Sequence, residues 1–172
     1  MITDALWDSL PGTGWLSRPE ADMLFMAAAA AEGDILEVGC YHGKSTVLLS
    51  SLGRIVHAVD PFEGFSTDDP FGFIAKRAFL ANLRERGIGN VHLYHRRIED
   101  WVPRPVGFAY LDGDHTPAGT ATQIRIALAA GGRRLCVHDV NESGDGLLIK
   151  YTCLEMLGPW TERVGRIASW IL

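Results

Sequence analysis

The sequence predicts an α/β fold on a mostly parallel sheet, because three patterns along its 172 residues agree. Short apolar runs of strand length alternate with amphipathic stretches of helical period, the order that parallel strands joined by crossover helices require. Glu37, Asp60, Asp112 and Asp139 each stand at the carboxyl end of such a run, which gathers acids at one edge of the sheet. The first run passes into a helix through Gly39-Cys40-Tyr41-His42-Gly43, where two glycines permit a tight turn and a close approach of backbone to a ligand.

The elements follow in order. Pro19 to Ala31 has helical periodicity, with Ser17 as its cap and Gly33 as its stop. Strand one covers Asp34 to Val38 and the first crossover helix Lys44 to Leu52, whose Val47, Leu48, Leu49 and Leu52 form the buried face. Strand two is Arg54 to Val59. The second crossover helix is Phe73 to Arg86, stopped by Gly87, and strand three is Val91 to His95. After a short turn at Glu99 to Trp101 come strand four, Gly107 to Leu111, a helix from Pro117 to Ala130 capped by Asp114, and strand five, Arg134 to His138. A helix runs from Gly146 to Leu157, and Trp160 to Leu172 alternates like a hairpin folded about Gly165-Arg166.

Composition sets the bounds. A 47% hydrophobic chain of this length buries one core, so residues 1–172 are expected to form one domain, with 1–32 as an N-terminal segment and helix and 33–172 as the core. The net charge of -5 and the dispersed basic residues exclude the electrostatic footprint of a nucleic-acid binder and favour a small-molecule partner. Three cysteines without a C-x-x-C pair read as reduced core thiols of a cytoplasmic protein. No apolar run approaches the roughly 20 residues of a membrane span.

Two familiar loops compete for the glycine-rich turn. Gly39 to Ser45 spells G-x-x-x-G-K-S, one residue short of the phosphate-binding loop, and Phe108 to Asp112 imitates the magnesium-holding strand of nucleotide hydrolases, so that activity stays open. The dinucleotide fingerprint fails because Tyr41 stands where its middle glycine is needed.

The pattern E-x-G-x-x-x-G-x-S-T from Glu37 to Thr46 resembles the first motif of class I S-adenosylmethionine-dependent methyltransferases, in particular the metal-using catechol O-methyltransferase-like branch. The resemblance implies a Rossmann-like three-layer sandwich with a mostly parallel seven-stranded sheet of order 3-2-1-4-5-7-6. It places Glu37, Gly39, Gly43 and Ser45 in the cofactor loop, Ser45 against the methionine carboxylate. Asp60, 23 residues after Glu37, would bond the ribose hydroxyls. Ile98 would cover one adenine face, and Asp112 would border the cofactor.

Leu111-Asp112-Gly113-Asp114-His115, followed by Cys136-Val137-His138-Asp139, is similar to the methyltransferase-24 group, which is related to macrolide sugar and cephalosporin-biosynthesis methyltransferases. That likeness implies Asp112 and Asp139 as magnesium ligands and His115 as the base. Catechol-type enzymes have Asp-Asn at the end of strand five and the macrolide enzyme has paired acids; His138-Asp139-Val140 stands here, which leaves the third ligand unassigned. His138 either packs in the sheet or meets the substrate. The loop Phe62 to Phe71 is long and aromatic enough for a lid, a substrate wall or a homodimer contact. The expected activity is O-methylation of a small hydroxylated metabolite. A phosphate-loop hydrolase and a non-catalytic cofactor-binding protein of the same fold are the alternatives.

Overall fold

The computed structural model describes residues 1–63 and 72–172. Seven strands form one sheet in the order β3-β2-β1-β4-β5-β7-β6. They are β1 (Ile35–Val38), β2 (Val56–Val59), β3 (Val91–Tyr94), β4 (Phe108–Leu111), β5 (Arg134–Val137), β6 (Glu162–Val164) and β7 (Ile167–Ile171). The first five pair in parallel, and the β6–β7 hairpin adds antiparallel against β5 through β7. The expected strand order and closing hairpin are both present.

Every residue of β1, β2 and β4 is buried, as expected of central parallel strands covered on both faces. One face carries α2 (Arg18–Ala29), α3 (Lys44–Ser50) and α4 (Phe73–Glu85), which deliver Leu24, Leu48 and Phe79 to a core with Phe108. The other carries α5 (Pro117–Ala129) and α6 (Asp145–Leu157), which pack Ile124 and Ile149 against Leu135 and Trp170. The hairpin is tied down where the Trp170 indole donates to the Gly158 carbonyl at 2.9 Å, past the end of α6.

Local chemistry sets the helix ends. Ser17 and Glu20 form a capping box before Pro19-led α2, and Thr116, not Asp114, caps α5 by accepting from Gly119 N–H. Asp114 instead accepts from Thr116 N–H at 2.8 Å, a turn that precedes the cap. A helix absent from the sequence reading, α1 (Asp4–Ser9), is capped by Thr3. Its signal was the spacing of Ile2, Leu6 and Leu10, of which Ile2 and Leu10 are buried. Phe62 is also not an exposed loop aromatic: it is buried against Phe79, ring centroids 5.6 Å apart. The rest of that loop, residues 64–71, lies outside the described residues.

Candidate functional site

Strand register brings the acids together. Val38 pairs with Leu111 and Leu111 with Val137, so the next residues, Gly39, Asp112 and His138, stand side by side at the carboxyl edge. Asp139 comes one residue later in the left-handed region, at φ 56°, a backbone that aspartate enters more readily than most side chains and that ends the strand's alternation here.

The result is a compact ionic cluster. His138 Nδ1 lies 3.4 Å from both Asp112 Oδ1 and Asp139 Oδ1. His115 bridges the same two acids from the other side, Nε2 3.5 Å from Asp112 Oδ1 and Nδ1 3.6 Å from Asp139 Oδ2. Arg166 donates to Asp139 Oδ1 at 2.9 Å, and Tyr110 OH donates to Asp112 Oδ2 at 3.1 Å. Behind the cluster, Glu20 Oε2 is 4.0 Å from His138 Nε2. Burial opposes charge on His138, but Asp112, Asp139 and Glu20 outweigh it and hold the imidazole protonated well above its usual range. Burial likewise opposes charge on Asp112, which His138 and His115 overcome to keep it ionised. For His115 the hydrogen bond to Asp112 is the largest effect and raises its pKa.

Two adjoining cavities meet at Gly39 and Asp60. One, of about 270 Å³, is lined by Trp15, Tyr41 and Ser45 on one side and by Asp112, His115, His138, Asp139 and Arg166 on the other. The second, about 290 Å³, runs past Val59, Glu63, Ile98 and Gly113. Thus Gly39, Ser45, Asp60, Ile98, Asp112, His115 and Asp139, all expected from the sequence, line one or both. Glu37 and Gly43 line neither. Gln123, buried in α5, holds the Asp112–His115 turn by accepting from Gly113 N–H and donating to the Asp114 carbonyl.

Residues 36–139 match the family model described as a methyltransferase domain of the methyltransferase-24 group, well over half of the chain. The chain belongs to this methyltransferase family. No curated protein matches it. Among solved structures, the O-methyltransferase from Bacillus cereus in complex with SAH aligns with TM-score 0.66 at 15% identity, covering 100% of this chain and 93% of that one. TomG from Streptomyces achromogenes, an O-methyltransferase of tomaymycin synthesis solved with SAM, aligns with TM-score 0.66 at 15% identity over 99% and 91%. The precorrin 8w decarboxylase of Methanobacterium thermoautotrophicum aligns with TM-score 0.61 at 23% identity over 92% and 81%, so the shared fold by itself does not choose a reaction.

Within the family loop, several residues serve the protein before any ligand. Asp60 accepts from Cys40 N–H at 2.6 Å and Tyr41 N–H at 3.0 Å through Oδ2, and from Phe62 N–H at 2.6 Å through Oδ1. Ser45 Oγ lies 2.5 Å from Glu37 Oε1, so this hydroxyl is engaged inward as well as lining the cavity. Gly43 caps α3 at φ 86° against the Phe79 ring. The sequence assigns none of Trp15, Glu20 and Arg166 to the site, and it leaves His138 between packing in the sheet and meeting the substrate. The first three arrive from an N-terminal turn, a helix cap and the hairpin turn, which no local motif connects.

Glu37 is fully buried, and its Oε2 has no hydrogen-bond partner among the described residues. Burial pushes its carboxyl up to about 7. Since an unfolded glutamate titrates near about 4.3, the folded state holds this proton longer; the stability it confers is complete below about 4.3 and is lost as pH rises to about 7. Glu37→Gln is therefore expected to be more stable than wild type at pH 8 by up to about 3 kcal/mol, with the gap closing near pH 4, as read from urea midpoints. A constant gap across that range would show that Glu37 does not titrate within it.

Proposed function

We propose that this methyltransferase moves a methyl group from S-adenosylmethionine to a hydroxyl of a small metabolite. The observation that carries this is the pair of cavities joined at Gly39 and Asp60, one suited to a nucleoside and the other ending on a histidine–carboxylate cluster. Val59 and Ile98 offer apolar cover for adenine, with Asp60 and Glu63 near the polar sugar. Tyr41 and Ser45 suit the methionine half beside the start of α3. The SAH- and SAM-bound neighbours and the O-methyltransferase descriptions of two of them support this choice of cofactor and acceptor atom.

The cofactor supplies an electrophilic sulfonium methyl when bound, and a divalent ion held by Asp112 and Asp139 would lower the pKa of the acceptor hydroxyl. The chain's own groups do the rest. Asp112 and Asp139 hold the His115 ring, 45% exposed as a side chain, at the cavity wall, where it can take the hydroxyl proton. Trp15 and Leu16 wall the same cavity against water. Alignment of acceptor and methyl then supplies much of the barrier reduction.

The phosphate-loop alternative is disfavoured by the loop's own hydrogen bonds. Gly39 N–H donates to the Val59 carbonyl, Cys40 and Tyr41 N–H to Asp60, and Gly43 N–H to the Cys40 carbonyl. A phosphate cradle needs such amides turned outward. No helix among the described residues is long and apolar enough to cross a membrane, and three free, buried cysteines suit a reducing cytoplasmic compartment.

Calorimetry with S-adenosylhomocysteine and with ATP tests the reading: the first is expected to bind and the second not. Tight ATP binding without a response to S-adenosylhomocysteine would reject it. Asp60→Ala is expected to abolish measurable S-adenosylhomocysteine binding and to lower stability by about 2–4 kcal/mol, because three amides lose their acceptor. Full affinity in a folded variant would remove Asp60 from cofactor recognition.

A further inference from the structure

An anion entering the cavity beside Ser45 finds most of the nearby donors already engaged. Ser45 Oγ donates to Glu37 Oε1 at 2.5 Å, so its one proton points into the protein. The N–H groups of Gly39, Cys40, Tyr41 and Gly43 are taken by the Val59 carbonyl, Asp60 and the Cys40 carbonyl. On the far wall Arg166 donates to Asp139, and His115 and His138 each stand between Asp112 and Asp139. Those cations are offset by the acids beside them.

Lys44 is not. It opens α3, lines the cavity next to Ser45, and has no acid paired with its Nζ among the described residues. The ammonium stands instead 4.5 Å from the centre of the Trp7 ring. A ring face attracts the charge without neutralising it, so N–H donors remain for an anion. Partial burial lowers the Lys44 pKa, as it does for an ammonium that loses water without gaining a counter-ion. Its stem is confined as well: a Cβ on Gly14 would stand 3.4 Å from Lys44 Cβ and 3.5 Å from Cδ, so the segment that walls the cavity packs against it. Trp7 sits in α1, which buried Ile2 and Leu10 flank, and this fixes the shelf on which the ammonium rests.

We propose that Lys44, steadied on the ring of Trp7, binds the carboxylate of the cofactor's methionine half, the role that the family resemblance gives to the Ser45 hydroxyl. The assignment rests on the methyl-transfer reading and gives α1 a part in cofactor recognition. It makes Lys44 a specificity-determining residue, favouring the intact amino-acid half over nucleosides and thioethers that lack the carboxylate. The ammonium borders the cavity from the loop side, opposite His115, so its effect belongs to cofactor affinity.

Calorimetry on the full-length protein with S-adenosylhomocysteine and with its decarboxylated analogue tests this. The wild type is expected to prefer S-adenosylhomocysteine at least about tenfold, the lower end for a hydrogen bond to a charged group. Lys44→Met keeps the stem that packs on Gly14 and Trp7; it should lose about 10–100-fold in S-adenosylhomocysteine affinity and leave the analogue nearly unchanged. Lys44→Arg should restore most of the preference, and Lys44→Gln replaces the Met variant should that misfold. Equal losses for both ligands would make Lys44 a structural residue and overturn the proposal, as would unchanged S-adenosylhomocysteine affinity in the neutral variants. Either result leaves the methyl-transfer reading standing, whereas a wild type that binds neither ligand would overturn both.

Discussion

His115→Ala is expected to lower the rate of methyl transfer by about 10²–10⁴-fold, the range for removing a positioned general base, while S-adenosylhomocysteine affinity stays nearly unchanged. The side chain is the most exposed of the cluster's histidines and faces the cavity, with Asp112 and Asp139 each within 3.6 Å of a ring nitrogen. Because the hydrogen bond to Asp112 raises its pKa, the neutral base is populated only as pH rises above the ordinary histidine value of about 6.5. The wild-type rate should therefore climb with pH through a midpoint above that value, and the climb should disappear in His115→Ala. Single-turnover rates across pH 6–9 measure both effects. A rate reduced less than about tenfold, with the same pH profile, would show that positioning alone carries the reaction.

The sheet and most of the site were legible in the sequence because they rest on local signals. Strand-length apolar runs ending in acids marked β1, β2 and β4, and register then placed Gly39, Asp60 and Asp112 along one edge. What stayed hidden depends on contacts between distant parts of the chain. Arg166 reaches Asp139 only because β7 inserts beside β5, and Glu20 nears His138 only because α2 packs over the end of the hairpin. The left-handed backbone of Asp139 is the clearest case. Strand alternation would turn His138 and Asp139 to opposite faces, whereas the φ of 56° lets both reach Asp112 or its histidine neighbours.

Gly39→Ala is expected to cost about 3–5 kcal/mol of stability and to abolish activity in whatever folds. Two effects combine. The residue sits at φ 83°, where an alanine is strained by about 1–2 kcal/mol. In addition, a Cβ there would stand 2.1 Å from the Asp112 carbonyl oxygen and 2.9 Å from Gly113 Cα, atoms of backbone that cannot rotate away. Asp112 is held from the same side, since its N–H donates to the Val38 carbonyl at 2.8 Å, so relief requires β1 and β4 to part at their carboxyl ends. Gly53→Ala separates the two effects, because Gly53 has φ 73° but open space around a Cβ. That variant should lose only the strain of about 1–2 kcal/mol and keep its activity. Denaturant midpoints of the pair measure the difference. Equal losses would mean that the two strand ends part freely, and the cluster would then lack the rigid frame that holds Asp112 against His138.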